Sequence, residues 1–319
     1  MNRALQQSGR YSEQNFSAIP RPGTPLVQNT QLQEITAFER CRAIQSQENL
    51  QAGLIMLLHT PDQETMQGQL QPESYLQALL TEIELVCKHL PGQPVLQQLH
   101  AYGDTALFSP QQLQQLFTAL KRHLQLPTNN FAWFSIGINP GNSSWASLGK
   151  LRDAGFNRIT LSCNEPGFQA IESLYEAARA LQFNTITMRA RYRQDGSGEA
   201  SVHLQEMVRL QPDRIVLEHD SGALYDEAPD ATLTAALLQA GYVQVATSCF
   251  VLPDDELTEH SSGGLADLHP ATTSWPVLGL GAGASSQLDN LYYCNDADLE
   301  QYVLKLNDNQ LPPARGCKL

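Results

Sequence analysis

Cysteine is scarce in this chain, and its cysteines are far apart in sequence. Even the closest two of the six, Cys294 and Cys317, are separated by 23 positions. Cysteine metal sites usually contain a local pair such as CxxC, which this chain lacks. We therefore expect six free thiols and no local metal site, with Cys163 and Cys249 in the core because they lie in apolar runs. The other cysteines are Cys41, Cys87 and those two at the end of the chain.

Positive charge is also in short supply. The chain has 20 lysines and arginines against 33 acidic residues, and its formal charge is -13. Such a field repels phosphate backbones and anionic lipids. No apolar run approaches the roughly 20 residues of a membrane-spanning helix, and the Gln-rich N-terminal region lacks the apolar stretch of a signal peptide. We expect a cytoplasmic protein whose partners include neither nucleic acid nor a membrane.

Several catalytic motifs are absent or lack their context. No G-x-S-x-G sequence marks a hydrolase nucleophile. The run Gly279–Ala284 is rich in glycine, but no βαβ unit follows it, so we predict a tight structural loop rather than a dinucleotide site. Glu218, His219 and Asp220 form a polar run that could join His59 in a metal site. No second histidine stands at helical spacing, however, and we predict no metal there.

From Gly53 onward, short apolar runs alternate with helical segments. The predicted strands are Leu54–His59, Val95–Tyr102, Phe131–Asn139, Arg158–Cys163, Thr185–Tyr192 and Arg214–Glu218. The predicted helices are Pro72–Leu90, Pro110–His123, Ser144–Ala154, Phe168–Leu181, Ala200–Leu210 and Ala231–Ala240. Six β/α units in series indicate an α/β protein with parallel strands. A doubly wound open sheet and a barrel both satisfy this pattern.

In either architecture, reactive side chains gather at the carboxyl ends of the strands. The candidates there are His59, Asp104, Thr105, Asn139, Asn164, Arg191, Glu218, His219 and Asp220. Arg189, Arg191 and Arg193 alternate along one predicted strand, so their side chains share a face. That face is either an anion-binding cluster or a solvated, ion-paired surface.

The sequence outside the alternating region suggests a division into three parts. Residues 1–50 are expected to form an irregular arm and a helix near Gln31–Ser46, and residues 51–241 hold the β/α units. Residues 242–319 are expected to form a C-terminal cap. This last part begins with one predicted strand, Val243–Leu252, followed by the acidic turn Pro253–Glu256 and a Gly-rich loop.

Segments along nearly the whole chain resemble the oxygen-independent coproporphyrinogen III dehydrogenases, a branch of the radical S-adenosylmethionine enzymes. The matching segments are Gly9–Tyr11, Leu99–Thr105, Ser135–Pro140, Gly155–Ser162, Phe250–Leu257, Thr272–Thr273, Leu278–Gly281, Leu311–Pro312 and Arg315–Gly316. This resemblance implies a partial (β/α)6 barrel of parallel strands rather than an open sheet. It also implies that the chain stops where a C-terminal helical domain of the family begins.

The same resemblance shows that the residues expected for radical chemistry are missing. His59-Thr60-Pro61 matches the family, but Gln63, Gln67 and Leu70 stand where the family has the three cysteines of its 4Fe-4S cluster. Amides and leucine cannot supply the thiolates that such clusters need. The family's three-glycine turn is Tyr102-Gly103-Asp104 here. Two of its acidic residues align with Gly137 and Arg189.

These departures imply a degenerate member of the family that has lost both the cluster and S-adenosylmethionine. Only weak remnants of cofactor binding are expected, at Gly103, Thr105 and Asn139. The residues expected to face a ligand are His59, Arg189, Arg191, Glu218 and His219.

The resemblance therefore favours a non-catalytic relative in porphyrin or haem metabolism that binds a tetrapyrrole or regulates an active homologue. One alternative is an active coproporphyrinogen III dehydrogenase whose cluster is held by scattered cysteines. Another is an unrelated barrel enzyme that uses His59 and the Glu218-His219-Asp220 run.

Overall fold

The structure is a computed structural model that describes most of the chain between residues 32 and 318. The described residues are 32–47, 50, 53–61, 66, 70–103, 108–127, 132–163, 168–192, 199–219, 229–258 and 275–318. They fall into two compact units. The first unit takes in the described residues up to 132 and those from 275 onward, and the second takes in those between 133 and 258.

Thirteen strands and eight α-helices are found in these described ranges. The strands are β1 Gln33–Glu34, β2 Leu54–Thr60, β3 Leu96–Gly103, β4 Trp133–Ile138, β5 Arg158–Ser162, β6 Thr185–Tyr192, β7 Arg214–His219, β8 Val243–Ala246, β9 Cys249–Val251, β10 Val277–Leu280, β11 Ser285–Leu288, β12 Leu291–Asn295 and β13 Ala314–Lys318. The helices are α1 Ala37–Gln45, α2 Pro72–Cys87, α3 Pro110–His123, α4 Trp145–Ala154, α5 Phe168–Ala180, α6 Glu199–Leu210, α7 Ala231–Gln239 and α8 Leu299–Asn307.

The first unit contains a mixed sheet with the strand order β1-β13-β12-β11-β10-β2-β3. β2 lies between β10 and β3 and is parallel to both. The strands from β10 to β1 in that order pair antiparallel. Helix α2 covers one side with buried apolar side chains that include Leu76, Leu79 and Ile83.

The second unit contains a sheet with the strand order β4-β5-β6-β7-β9-β8. Strands β4 to β7 are parallel neighbours, and the hairpin of β8 and β9 adds antiparallel to β7. In neither unit does the strand order return to its first strand, so the strands of neither unit close on themselves. The predicted α/β class with parallel strands is confirmed, since the six predicted strands correspond to β2 to β7 and the six predicted helices to α2 to α7.

Local sequence explains where several helices begin and end. Ser109 accepts a hydrogen bond from the backbone N–H of Gln112, and the Gln112 side chain accepts one from the N–H of Ser109, so a capping box starts α3. Pro110 then occupies the first turn, where its missing N–H costs nothing. Helix α4 ends at Gly155, whose φ of 117° lies in the region that glycine tolerates best.

The single strand predicted over Val243–Leu252 is wrong. The segment folds back on itself as β8 and β9, with Thr247 and Ser248 in the turn between them. The side-chain amide of Gln244 donates to the Thr247 carbonyl at 3.0 Å and so ties the first strand to the turn. Strands β10 to β13 and helix α8 were not anticipated from the sequence. None of the helices in the described ranges combines the length and apolarity needed to cross a membrane.

Candidate functional site

One side of the parallel strands in the second unit is polar at their carboxyl ends. The register places Gly137 beside Thr160, Ser162 beside Arg189, and Arg191 beside Glu218. Because paired residues of parallel strands point to the same side, these residues define a single face. We call its carboxyl-terminal part the polar face, made of Gly137, Thr160, Ser162, Arg189, Arg191 and Glu218.

The opposite side of the same strands is apolar and buried. Ile136, Leu161, Met188 and Leu217 all lie there, with exposed fractions of 1% or less. Residues of the polar face are instead half-buried, and Arg191 is exposed. Parallel strands are usually covered on both sides and are then apolar on both. A polar side that solvent reaches is therefore the candidate binding site of this unit.

Arg189 and Glu218 form an ion pair on the polar face. The Arg189 Nη1 atom lies 3.3 Å from Glu218 Oε1, and the two side chains are 30% and 20% exposed. Arg189 is thus ion-paired and Arg191 is solvated, which agrees with the interpretation of this strand's arginines as a solvated, ion-paired surface. Arg193 lies outside the described residues, as does Asp220, and the side chain of His219 at the end of β7 is not described.

Two other predicted remnants have local structural roles. Asn139 follows β4, and its side-chain oxygen accepts from the Gly141 N–H at 3.0 Å, which starts a short 3-10 turn over Pro140–Asn142. Gly103 ends β3 with a φ of +88°, and a Cβ there would lie 1.8 Å from the Thr60 carbonyl oxygen. Only glycine fits that position. Thr105 and Asn164 lie outside the described residues.

His59 belongs to the first unit and is held by the Gly-rich loop. Its Nδ1 atom lies 2.5 Å from the Ala282 carbonyl oxygen, and a carbonyl only accepts, so Nδ1 carries the proton. The ring packs 4.9 Å from the ring of Tyr102. The backbone oxygen of His59 accepts a hydrogen bond from the Tyr75 hydroxyl at 2.9 Å.

The predicted tight loop after β10 is confirmed. Gly281 has a φ of +108°, and a Cβ there would lie 2.4 Å from the His59 carbonyl oxygen. At Gly279 a Cβ would meet the Ser285 carbonyl oxygen at 2.2 Å. The absence of a side chain at these two glycines therefore allows neighbouring backbone segments to approach closely.

A buried carboxylate beneath this loop was missed by sequence reasoning. Glu82 Oε2 accepts from the Gly281 N–H at 2.8 Å and from the Tyr302 hydroxyl at 2.6 Å. Its Oε1 accepts from the Asn295 amide at 2.7 Å. Burial raises the pKa of Glu82 to about 6, although these hydrogen bonds and the charge of Arg40 act in the opposite direction.

Asn295 connects this buried acid to a buried base. Its Oδ1 atom accepts from Arg40 Nη1 at 3.4 Å, while its amide nitrogen donates to Glu82. Arg40 also donates to the Pro312 carbonyl at 2.6 Å and lies 5.6 Å from the centre of the Tyr293 ring. No local sequence motif predicts this arrangement, because its side chains come from four separate elements. They are Arg40 in α1, Glu82 in α2, Asn295 in β12 and Tyr302 in α8.

The amino-terminal ends of the second unit's strands carry a buried charged cluster. The guanidinium groups of Arg158 and Arg214 lie 3.9 and 4.9 Å from the centre of the Trp133 ring. Arg214 makes two contacts with Asp255, at 2.8 and 3.1 Å, and both arginines contact Glu256. Burial lowers the pKa of Arg158 to about 10. The acidic turn thus anchors the amino-terminal ends of these strands, and the polar face lies at their other ends.

All six cysteines lie in described parts of the chain and are free thiols. Cys163 is fully buried after β5, and burial raises the pKa of its thiol to about 12. Within the described ranges, no three histidine, cysteine or acidic side chains are grouped in a way that could hold a metal ion. Gln63 and Gln67 lie outside those ranges, whereas Leu70 is described and half-buried.

Comparison with solved structures identifies the fold. The coproporphyrinogen III oxidase HemN of Escherichia coli, described as a radical SAM enzyme, matches with a TM-score of 0.73 and 20% identity. The match covers 99% of this chain and 80% of that one. The chain thus has the α/β fold of that structure, and the predicted partial (β/α)6 barrel is confirmed. No protein-family model matches the chain.

Relatives in sequence identify the family. The oxygen-independent coproporphyrinogen III oxidase of Pseudomonas aeruginosa is 31% identical over 280 residues, which cover 76% of this chain and 61% of that protein. The anaerobic coproporphyrinogen III oxidase 1 of Cereibacter sphaeroides is 25% identical over 289 residues, covering 77% and 62%. The chain is a member of the HemN-like family that includes these oxidases. It spans about three fifths of the length of the relatives it matches.

Proposed function

We propose that the chain is a non-catalytic member of this family that acts in porphyrin or haem metabolism by binding a tetrapyrrole. The observation that carries the proposal is the polar face, which presents Arg189 and Arg191 where a closed parallel barrel would be packed with apolar side chains. The relatives are named for coproporphyrinogen III, a tetrapyrrole that bears carboxylate groups. Guanidinium groups suit carboxylates because their paired N–H groups match the two oxygens.

The residues at the aligned cluster positions do not fit a 4Fe-4S cluster. Iron-sulfur clusters are held by thiolates, and Gln63, Gln67 and Leu70 offer two amides and an alkyl group. The six cysteines lie elsewhere: in α1, at the end of α2, after β5, and in β9, β12 and β13. This disagreement supports a function without radical chemistry.

The residues aligned with the family's cofactor pocket also argue against binding of S-adenosylmethionine. The resemblance places Arg189 where relatives have an acid, so an anion is replaced by a cation. S-adenosylmethionine carries a positive sulfonium and a positive ammonium group, and a neighbouring guanidinium disfavours both. Calorimetry with millimolar S-adenosylmethionine should therefore detect weak binding or none. A dissociation constant in the low micromolar range would contradict this part of the proposal.

An active coproporphyrinogen III dehydrogenase, which would convert coproporphyrinogen III to protoporphyrinogen IX by oxidative decarboxylation, is the alternative. It requires at least three ligands that converge on a cluster from separate elements. Iron and acid-labile sulfide measured after anaerobic reconstitution decide between the two. About four irons per chain would favour the alternative.

The binding proposal is tested by titrating the protein with coproporphyrin III and following fluorescence quenching. Replacing the exposed Arg191 with alanine should weaken binding by about ten- to hundredfold, which corresponds to the roughly 1.5–3 kcal/mol of a charged hydrogen bond. Unfolding in urea should change by less than about 0.5 kcal/mol, since surface substitutions rarely cost more.

Arg209→Ala is the matched control for this titration. Arg209 is also an exposed arginine of the second unit, but it lies on α6 and pairs with Glu172 at 2.7 Å. The Arg209→Ala variant should bind coproporphyrin III like the wild type. If the wild type shows no detectable binding, the tetrapyrrole proposal fails and the regulation of an active homologue by direct contact becomes the better hypothesis.

A further inference from the structure

We propose that Glu82 is a positioning residue whose charge determines how firmly the Gly-rich loop after β10 holds His59. The inference goes beyond the proposed function and does not depend on it, because both residues belong to the first unit and no tetrapyrrole is involved. A continuous series of hydrogen bonds runs from the Glu82 carboxylate to the His59 ring.

The first part of this series fixes the Gly281 peptide on both of its sides. Glu82 Oε2 accepts from the Gly281 N–H at 2.8 Å. The Asn295 side-chain amide donates to Glu82 Oε1 at 2.7 Å and to the Gly281 carbonyl oxygen at 3.0 Å. The carboxylate therefore sets the position of this peptide at the start of the loop.

The second part of the series joins the loop to His59. Ala282, the residue after Gly281, donates its N–H to the Tyr75 hydroxyl at 3.0 Å, and its carbonyl oxygen accepts from His59 Nδ1. The Tyr75 hydroxyl in turn donates to the His59 carbonyl oxygen at 2.9 Å. A shift of the Gly281 peptide would thus disturb the contact that keeps the His59 ring in its Nδ1–H tautomer.

The partners of Glu82 determine where a proton on this carboxyl group can point. The Gly281 N–H only donates. Asn295 cannot reverse its amide, because its Oδ1 accepts from Arg40 at 3.4 Å while its nitrogen donates to the Gly281 carbonyl. The Tyr302 hydroxyl, 2.6 Å from Oε2, is able to accept as well as donate. A protonated Glu82 therefore donates to Tyr302 through Oε2, the same oxygen that holds Gly281, and a neutral acceptor holds an N–H less strongly than an ionised one.

Linkage leads to the same conclusion. Burial raises the pKa of Glu82 to about 6, although the hydrogen bond from Gly281 acts in the opposite direction. Because that hydrogen bond favours the charged carboxylate, the charged carboxylate must also bind the Gly281 N–H more tightly than the neutral form does. The loop is thus held firmly above about pH 6 and less firmly below it. Global stability follows the larger cost of desolvation and changes in the opposite sense.

The other ionisable groups around Glu82 do not titrate in this range. In the described parts of the chain they are Arg40 of α1, Tyr75 and Cys87 of α2, Tyr293 of β12 and Tyr302 of α8. Burial raises the pKa of the three tyrosines and raises that of the Cys87 thiol to about 12, so all four stay neutral. Arg40 stays charged, and its charge lowers the pKa of Glu82.

Two measurements on the full chain test the inference. Amide hydrogen exchange of residues 281–283, corrected for the intrinsic effect of pH, reports how firmly the loop is held. Long-range proton–nitrogen NMR spectra of protein labelled at histidine report the tautomer of His59, whose signals are identified by their loss in His59→Gln. Both are recorded between about pH 5 and 8, the range that spans the pKa of Glu82.

In the wild type, protection of the Gly281 and Ala282 amides should fall about three- to tenfold as the pH drops from about 8 to 5, with a midpoint near 6. Glu82→Gln should show weak protection at every pH, because its NH2 group must face Gly281 N–H or the Asn295 amide, which both donate. In this variant the Nε2–H tautomer of His59 should appear at about pH 8.

The control and a second variant keep the test specific. Glu84→Gln, on the same helix but half exposed, should behave like the wild type. Arg40→Gln removes the charge that lowers the pKa of Glu82, so it should move the midpoint of the loop transition to higher pH. A change that only weakened the fold would not move this midpoint in a defined direction.

Equal protection of the loop at about pH 5 and 8 in the wild type would overturn the inference. A transition that persists unchanged in Glu82→Gln, or that disappears in His59→Gln, would assign the proton to another group and would also overturn it. If Glu82→Gln does not fold, Arg40→Gln decides, and a midpoint at unchanged or lower pH would count against Glu82. None of these results depends on whether the protein binds coproporphyrin III.

Discussion

Replacing Glu82 with glutamine should remove a pH-dependent part of the protein's stability. The carboxyl group is wholly buried under the Gly-rich loop, and burial raises its pKa from an ordinary 4.5 to about 6. Hydrogen bonds from Gly281, Asn295 and Tyr302 offset only part of the desolvation cost. Glutamine keeps the shape of the side chain but does not titrate.

The sign of the effect follows from where the proton is bound. Because the pKa of Glu82 is higher in the folded protein, the folded state keeps a proton that the unfolded chain releases first. The stabilisation from this proton is complete below about pH 4.5 and is lost as the pH rises through about 6. The pKa difference of about 1.5 corresponds to roughly 2 kcal/mol.

Urea unfolding of the wild type and of Glu82→Gln at several pH values between about 4 and 8 measures this effect. The free energy of unfolding of the wild type, minus that of the variant, should fall by roughly 2 kcal/mol as the pH rises from about 4 to 8. Glu84→Gln is the control, because Glu84 lies on the same helix with its side chain 47% exposed and contacts Arg122 and His123. That variant should differ from the wild type by less than about 1 kcal/mol. A pH-independent difference for Glu82→Gln would refute the reasoning.

Two further substitutions test the packing of each unit by denaturation. Gly281→Ala should lower the free energy of unfolding by about 3 kcal/mol or more, because the new methyl group would collide with backbone. Gly92 also has a positive φ, +72°, but open space surrounds it, so Gly92→Ala should lower the free energy of unfolding by only about 1 kcal/mol. Arg214→Ala should cost about 3–5 kcal/mol, since it leaves the buried Asp255 carboxylate without its partner. Arg209→Ala breaks an exposed pair and should cost less than about 1 kcal/mol. Equal losses of unfolding free energy for Gly281→Ala and Gly92→Ala would contradict the packing argument. Equal losses for Arg214→Ala and Arg209→Ala would contradict the argument about the buried charge.

The parallel strands and their helices could be predicted because their periodicities are clear and their boundaries are marked. Strand β6 and helix α3 match the predicted ranges at both ends. In α3 the sequence Ser109-Pro110 combines an N-cap with a residue suited to the first turn. Strands β10 to β13 were missed because they are short and carry buried polar residues such as Ser286 and Gln287, which hide the apolar pattern.

The candidate site was predictable only in part. Period-two alternation predicts that Arg189 and Arg191 share a face, but not which strand supplies a partner. The contact with Glu218 depends on the register between β6 and β7. Packing sets this register, so the sequence of either strand alone does not predict it. Glu82 is harder still, because its partner Asn295 lies 213 positions away in sequence.

The charged cluster around Trp133 leaves the opposite ends of the second unit's strands free to vary. Arg214 and Glu218 are four residues apart on β7, which places their backbones about 13 Å from one another. Changes at sites this far apart usually affect stability independently. A library of substitutions at Ser162 and Arg191, which lie at that far end, should therefore alter what the protein binds while most variants remain folded, which makes this unit a starting point for selecting new small-molecule binders.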